Sequence, residues 1–255
     1  MSSKSNYTPR ITGFLCNWCC YGGADLCGVS RFQYPPYIRV IRVMCSGRVD
    51  PSFVLRVFSN GGDGVFIGGC HINDCHYNTE GNYDAYGMVQ ILKRLLDHIG
   101  INPERLRLEW VSAGEGIRFA EIMNEYGKRI REMGPLINDT GNSMEEIRTR
   151  IDAVTKIIPY IKLVEIERLR LHTRSESAYK EFYESEDFHR LFNELIEDKL
   201  CINEITALLK RKPLSSAEIA GALKMTPSEV SRHIRNSSNY GLVKFDFNNN
   251  SYTLA

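Results

Sequence analysis

Seven of the eight cysteines in this 255-residue chain lie before residue 76, and this clustering constrains the fold more than any other feature. They are Cys16, Cys19, Cys20, Cys27, Cys45, Cys70 and Cys75. The first ten residues are polar, so we expect no signal peptide, and no apolar run reaches the length of about 18 residues that a membrane helix needs. The sequence therefore predicts a cytoplasmic protein with reduced thiols, in which clustered cysteines indicate metal binding or redox chemistry rather than disulfides.

The first half of the chain alternates between short apolar segments and helical segments. Strands are predicted at residues 11–15, 38–44, 64–67 and 106–111. Helices are predicted at residues 51–60, 83–98 and 115–133. This alternation predicts an α/β domain over residues 8–135, with a four-stranded, mainly parallel sheet and flanking helices. The last strand alternates in polarity, with Arg107 and Glu109 on one face, as an edge strand does.

The second half is predicted to be helical and to end in a separate module. After a linker at residues 136–142, residues 143–200 are predicted to form a helical linker or docking region with long helices at 143–161 and 178–200. The first carries one apolar face, which could be a short coiled-coil seam or could pack within the chain. Residues 201–255 contain three short helical segments and a hairpin pattern, which predict a winged helix-turn-helix-like module.

The predicted sheet brings five of the cysteines to one edge. Cys16 and Cys19 follow the first strand, Cys45 follows the second, and Cys70 and Cys75 follow the third. Because parallel strands end at the same carboxyl edge, where open α/β sheets place their sites, these thiols can converge. Four thiolates complete an iron–sulfur centre, so we expect four of these five to be metal ligands.

Other interpretations of these residues stay open. Cys16 and Cys19 form the C-x-x-C pair of thioredoxin-like proteins, and four cysteines can also bind zinc. His71 and His76 could replace cysteines as in a Rieske centre, although we expect them to lie, with Trp18, beside the ligands rather than to bind metal. Four glycines are expected either to bring backbone close to a cluster or only to form tight turns. They are Gly22, Gly23, Gly68 and Gly69.

Four stretches of the first domain resemble the delta, or iron–sulfur, subunit of the methyl-viologen-reducing hydrogenase of methanogenic archaea. They are GFLCNWCCYGG at residues 13–23, QYPPYIRVIRVMCSGRVD at 33–50, DGVFIGGCHINDCHY at 63–77 and RLRLEWVSAGE at 105–115. The five cysteines match the family's cysteine pattern, and the resemblance implies a [2Fe–2S] cluster.

The resemblance also implies a function and partners. The family relays electrons between a hydrogenase and the flavin-containing A subunit of heterodisulfide reductase, which bifurcates electrons between the heterodisulfide and ferredoxin. Formate dehydrogenase replaces the hydrogenase in some related assemblies. We therefore expect a non-catalytic electron-transfer subunit of an oxidoreductase complex in methanogenesis, within a higher-order, dimeric assembly and away from membranes.

The C-terminal module departs from this family pattern. A winged helix can read DNA through its second helix, here residues 227–236, or it can bind another protein. Residues 203–255 contain seven Lys and Arg against four Asp and Glu, a smaller basic excess than dedicated DNA readers carry. We therefore expect protein docking or dimerisation and regard DNA as an unlikely partner. The alternative function is a metal- or redox-sensing winged-helix transcription regulator.

Overall fold

The computed structural model describes residues 7–77, 80–140 and 143–255, which form two compact units. The first unit holds the described residues up to Arg148 together with Glu165–Ser185. The second holds Thr149–Val164 and Glu186–Ala255. The division into segments 8–135, 143–200 and 201–255 stays a prediction. No helix in the described ranges combines the length and apolar content that crossing a bilayer requires.

The first unit is built on a four-stranded parallel sheet in the order β2-β1-β3-β4, which confirms the predicted fold class. The strands are β1 (Ile11–Cys16), β2 (Ile38–Val43), β3 (Gly64–Gly69) and β4 (Leu106–Trp110). The strand β4 lies at one edge, as its alternating polarity predicted, and β2 lies at the other. The central strand β3 is buried along its whole length.

Five α-helices lie in the described part of the chain up to residue 140. They are α1 (Cys20–Val29), α2 (Pro51–Ser59), α3 (Gly81–His98), α4 (Gly116–Met133) and α5 (Ile137–Thr140). The helix α2 starts as its sequence predicts, because the Asp50 carboxylate accepts from the backbone N–H of Ser52 and Pro51 occupies the first turn. Residues 136–142 were predicted as a linker, but residues 137–140 form a helical turn, and residues 141–142 lie outside the described residues.

The crossovers place the helices on opposite faces of the sheet. The step from β1 to β2 runs in one direction across the sheet, whereas the steps from β2 to β3 and from β3 to β4 run in the other. Right-handed crossovers therefore put α1 on one face and both α2 and α3 on the opposite face. The helix α4 packs against α1, and together they cover a core that includes Leu15, Phe66 and Phe119.

The middle of the chain forms more and shorter helical segments than the sequence predicts. The long helix α6 (Met144–Val164) is followed by a π-helical turn at Glu165–Leu169 and by α7 (Glu176–Glu184). The predicted continuous helix over residues 178–200 is wrong, because Ser185 is extended (φ −80°, ψ 156°) and its backbone N–H and hydroxyl both bond to the carbonyl of Phe182. The apolar positions of α6 are buried by this chain, which favours packing over an open coiled-coil seam. They are Ile147, Ile151, Val154, Ile158 and Ile161.

The second unit ends in a winged-helix arrangement. It contains α8 (Glu186–Phe192), α9 (Asp198–Leu209), α10 (Ser216–Leu223), α11 (Pro227–Asn239) and the antiparallel hairpin β5 (Val243–Asp246) and β6 (Ser251–Leu254). Full capping boxes start α10 and α11. The helix α9 begins at Asp198, before the predicted start of the C-terminal module at residue 201, and directly follows a π-helical turn at Asn193–Glu197.

Candidate metal centre

Three consecutive loops at the carboxyl edge of the sheet supply five thiols. Cys16 is the last residue of β1 rather than the first after it, Cys45 lies two residues beyond β2, and Cys70 directly follows β3. These three side chains and that of Cys75 form one buried group, and Cys19 packs against it half-buried. The structure thus brings together all five cysteines that the sequence singled out.

The spacing and chemistry of these sulfur atoms suit a metal centre. The Sγ atoms of Cys16 and Cys70 lie 3.6 Å apart. Two thiolates on one tetrahedral metal ion, with bonds of about 2.3 Å, lie about 3.8 Å apart. The buried group contains only cysteines, and this is the ligand set of iron–sulfur clusters as well as of structural zinc. The residues present therefore fit a thiolate-bound metal or cluster.

The surroundings of Cys16 favour its thiolate form. Its hydrogen bond with Cys70 lowers the pKa of the Cys16 thiol, and backbone N–H groups of Trp18, Cys19 and Ser46 act in the same direction against the effect of burial. Backbone donors of this kind are the groups that stabilise sulfur ligands and tune a cluster's potential. Burial, by contrast, raises the pKa of the Cys45 thiol, so deprotonating that side chain needs the compensating charge of a metal.

The start of α3 closes the site, and the sequence did not predict its two functional residues. Gly81 has a positive φ of 33°, and a Cβ there would overlap Cys75 Sγ and lie 3.5 Å from Cys45 Sγ. The buried Asn82 side chain donates to the carbonyls of Cys70 (3.3 Å) and His71 (2.8 Å), which holds the loop after β3. The only sequence signal that could have pointed to these two residues was a Gly-Asn pair at a helix start.

Replacing Gly81 with alanine is expected to displace Cys75 and, if the thiols hold the iron that the resemblance implies, to leave the purified chain with most of that metal missing. The new Cβ would overlap the sulfur, and the positive φ would strain any side chain there. Iron analysis of anaerobically purified protein measures the effect. Gly28→Ala is the matched control, because no atom lies within 4 Å of a Cβ at that helical position. Equal iron in both variants would contradict the tight approach.

The three residues predicted to lie beside the ligands have different surroundings. Trp18 stacks on His76, with ring centroids 4.0 Å apart, and His76 meets Tyr77 edge-on at 5.3 Å. His71 turns toward the β4–α4 loop instead, where its Nε2 lies 2.6 Å from the Glu115 carboxylate. None of these side chains belongs to the buried cysteine group, and their role around the ligands stays a prediction.

The remaining cysteines and two of the glycines lie elsewhere. Cys20 and Cys27 lie on the buried face of α1 in the core of the first unit, and Cys201 is buried and belongs to the second unit. A Cβ on Gly22 would meet Ala113, and one on Gly23 would meet the carbonyl of Ser112. These two glycines therefore let α1 pack against the β4–α4 loop, and an approach of their backbone to a cluster stays a prediction.

A parallel α/β sheet that gathers five thiols at its carboxyl edge defines a thiolate metal-binding domain. Residues 11–134 match the family model described as methyl-viologen-reducing hydrogenase, delta subunit. The chain is 57% identical over 130 residues to the vhc iron–sulfur subunit of the F420-non-reducing hydrogenase of Methanococcus voltae, a match that spans 51% of this chain and 90% of that relative. The chain therefore belongs to the delta-subunit family of methyl-viologen-reducing hydrogenase.

Two further relatives show the range of proteins that carry this domain. The iron–sulfur subunit of the F420-non-reducing hydrogenase from Archaeoglobus profundus is 51% identical over 132 residues, which cover 52% of this chain and 96% of the relative. The A subunit of the ferredoxin/F(420)H(2)-dependent CoB-CoM heterodisulfide reductase of Methanosarcina acetivorans is 52% identical over 135 residues, which are 53% of this chain but only 17% of that protein.

The C-terminal module matches a different family. Residues 202–244 match the model described as bacterial regulatory protein, arsR family. The match begins within α9, covers α10 and α11, and reaches the start of β5. Both the match and the helix order agree with the winged helix-turn-helix-like module that the three short helical segments and the hairpin pattern predicted.

Proposed function

We propose that this chain is an iron–sulfur electron-transfer subunit of an oxidoreductase complex. It receives electrons from a hydrogenase, or from a formate dehydrogenase, and passes them to the flavin-containing A subunit of heterodisulfide reductase. The observation that carries the proposal is the buried group of cysteines at the carboxyl edge of the sheet. A thiolate-bound iron–sulfur cluster supplies one-electron chemistry at such a site.

We assign [2Fe–2S] as the cluster type and the four buried cysteines as its ligands. These cysteines are Cys16, Cys45, Cys70 and Cys75. Cys19 is the candidate for the spare thiol, because it is the one member of the five that is only half-buried. In the described part of the first unit, backbone N–H groups around Cys16 hold its sulfur and Asn82 holds the loop of Cys70. The protein thereby fixes the position and the potential of the centre.

The relatives support the choice of partners. In Methanosarcina acetivorans the matching segment is part of a chain named as the A subunit of a heterodisulfide reductase. In Methanococcus voltae it is nearly all of a hydrogenase subunit. A domain that occurs on both sides of one electron path suits a relay between the two enzymes. We propose the same place for this chain, in a cytoplasmic, dimeric, electron-bifurcating complex of methanogenesis.

A rim of exposed apolar side chains next to the cysteines suits contact with a redox partner. Trp18 is 41% exposed, Met44 is 57% exposed and Tyr77 is 42% exposed. Each lies within two residues of a cysteine of the site. Exposed aromatic and methionine side chains are enriched where proteins bind each other. Electrons would cross at this rim, where the least protein separates the sulfurs from a bound partner.

Anaerobic purification followed by iron and sulfide analysis and EPR tests the proposal. We expect about two irons per chain and a rhombic spin-one-half signal after dithionite reduction. The reduced chain should then reduce the flavin of the oxidised heterodisulfide reductase A subunit on mixing, a reaction that flavin absorbance follows. Zinc without iron would contradict the electron-transfer function and leave a structural metal on a docking protein.

A metal- or redox-sensing transcription regulator is the second candidate, because residues 202–244 match the arsR family model. In this arrangement α11 would enter the DNA groove, and it carries Arg232 and Arg235 on its exposed side. Fluorescence anisotropy with a labelled duplex from the region upstream of the chain's own gene separates the candidates. Binding that falls steeply with salt and changes on cluster reduction would favour regulation, whereas the electron-transfer proposal expects no binding at physiological salt.

A further inference from the structure

One face of the edge strand β2 is left uncovered by the described residues of the first unit. Its residues Ile38 and Val40 point to the face that α1 and α4 cover. The alternate residues Arg39, Ile41 and Val43 point to the opposite face, where α2 and α3 pack over the other strands. Ile41 is consequently 47% exposed. Parallel sheets normally have both faces covered by helices, so this face lacks one layer.

The uncovered face forms the floor of a groove of about 870 Å³ in the first unit. The side of α2 that bears Phe53, Arg56 and Val57 makes one wall, and the chain leading into β1 closes one end. Phe53 is 46% exposed although its ring stacks on the buried Phe14, with ring centroids 6.3 Å apart. The groove floor and wall therefore present apolar side chains that the described residues of the first unit leave exposed.

The charge around this groove has a single sign. Three arginines line it, and no aspartate or glutamate does. They are Arg10, Arg39 and Arg56. No ion pair joins Arg39 or Arg56 to another residue in the described ranges. Because the net charge of the whole chain is only +1, this is a local feature rather than a consequence of overall composition.

We propose that this groove binds an amphipathic helix of a partner protein, with its apolar stripe on Ile41 and Phe53 and its carboxylates beside the three arginines. A helix is the element that covers a parallel sheet face, and the apolar-plus-acidic pattern complements the groove. Residues 39–43 extend over about 13 Å at about 3.3 Å per residue. About nine residues of helix have the same length at about 1.5 Å each.

The position of the groove links it to the metal centre. Val43 lines the groove at the end of β2, and Cys45 lies two residues further along the chain. A helix seated on β2 would hold its parent protein next to the edge where the thiols lie. For the identity of that protein this inference rests on the proposed function, and the helix belongs to the A subunit of heterodisulfide reductase, because the matching domain of Methanosarcina acetivorans lies on that subunit's own chain.

Charge-reversal and surface variants test the groove in the full-length, iron-loaded chain. Binding to the purified heterodisulfide reductase A subunit and to purified hydrogenase is measured anaerobically by interferometry. We expect Ile41→Glu and Arg39→Glu each to weaken binding to the A subunit at least about tenfold, the effect of losing a hot-spot residue, and to leave binding to the hydrogenase unchanged. Ile117→Glu is the matched control, because Ile117 is 57% exposed on α4, over the opposite face of the sheet. The EPR signal should be the same in all three variants.

Photocrosslinking identifies the occupant. With p-benzoylphenylalanine in place of Ile41, we expect capture of a partner segment with apolar residues at helical spacing and flanking carboxylates. Capture of the hydrogenase or of a second copy of this chain, or an iron-loaded wild-type chain that does not bind the A subunit, would overturn the inference. A wild-type chain that binds the A subunit while both groove variants bind it equally well disproves the groove alone, whereas a wild-type chain without iron disproves the proposed function.

Discussion

A chain with serine in place of Cys45 is expected to fold and to contain no iron–sulfur cluster. Cys45 is buried among the other thiols of the site, and its loop is one of the three that supply sulfur atoms. A serine hydroxyl stays protonated at neutral pH and is a far poorer ligand for iron than a thiolate. We expect the reduced EPR signal to disappear and the iron content to fall to background. Circular dichroism should show an unchanged helix content.

The matched control for this experiment is Cys27→Ser. Cys27 is as buried as Cys45, but it lies on the core-facing side of α1 in the hydrophobic core, and its thiol donates to the carbonyl of Phe32 at 3.5 Å. This variant should retain its iron and its EPR signal, even if the added hydroxyl costs some stability. Loss of the cluster in both variants would mean that the iron depends on general folding, and retention in both would remove Cys45 from the ligand set.

Cys19→Ser distinguishes the spare thiol from the four assigned ligands. If the buried cysteines are the ligands, the variant keeps its iron stoichiometry and its EPR line shape, because Cys19 only packs against the group. If Cys19 is a ligand instead, this variant loses the signal and one of the other four replacements keeps it. Iron analysis and EPR of all five single replacements therefore assign the ligand set without ambiguity.

The topology of the site was predictable from the sequence because it depends on two simple sequence patterns. Short apolar segments alternate with helical ones, which fixes a parallel sheet, and each of the first three strands is followed within a few residues by a cysteine. All carboxyl ends of a parallel sheet lie at one edge, so cysteines far apart along the chain, such as Cys16 and Cys70, become neighbours at 3.6 Å. No side-chain geometry was needed for that step.

Residues whose role depends on close packing were not predictable in this way. Gly22 and Gly23 stand next to cysteines in the sequence but lie on a helix that packs on Ala113. Gly81, which does approach the sulfurs, is six residues from the nearest cysteine along the chain. Proximity in sequence was the available guide, and it gives no sign of a residue such as Gly81 that reaches the site from the start of a later helix.

The segment after residue 135 shows a second limit of sequence reasoning. Its polar composition predicts a linker, yet Asp139 in α5 pairs with Arg105, which is fully buried. The Arg105 guanidinium also donates to the carbonyls of Asp63 at 2.9 Å and Gly134 at 3.0 Å. An arginine predicted to lie just before a strand gives no sign that it will be buried, and its partner lies 34 residues further along the chain.

Asp139→Ala is therefore expected to destabilise the first unit strongly, although it lies in a segment that looks like a connector. The change removes the only carboxylate that pairs with Arg105 among the described residues and leaves a buried charge without its counter-charge. Breaking such a pair from one side typically costs about 3–5 kcal/mol. Urea unfolding followed by tryptophan fluorescence measures this loss selectively, because both tryptophans, Trp18 and Trp110, belong to the first unit.

Glu132→Ala is the control, since Glu132 is 66% exposed and pairs only with Lys128 at 3.8 Å among the described residues. An exposed pair of this kind contributes at most about 0.5 kcal/mol, so the unfolding midpoint should barely move. The double variant Arg105→Met/Asp139→Ala completes the test. If the buried charge is the cause, removing Arg105 as well should cost much less than the sum of the two single changes. Strict additivity, or an Asp139→Ala variant as stable as the wild-type chain, would show that α5 does not anchor the sheet through this pair.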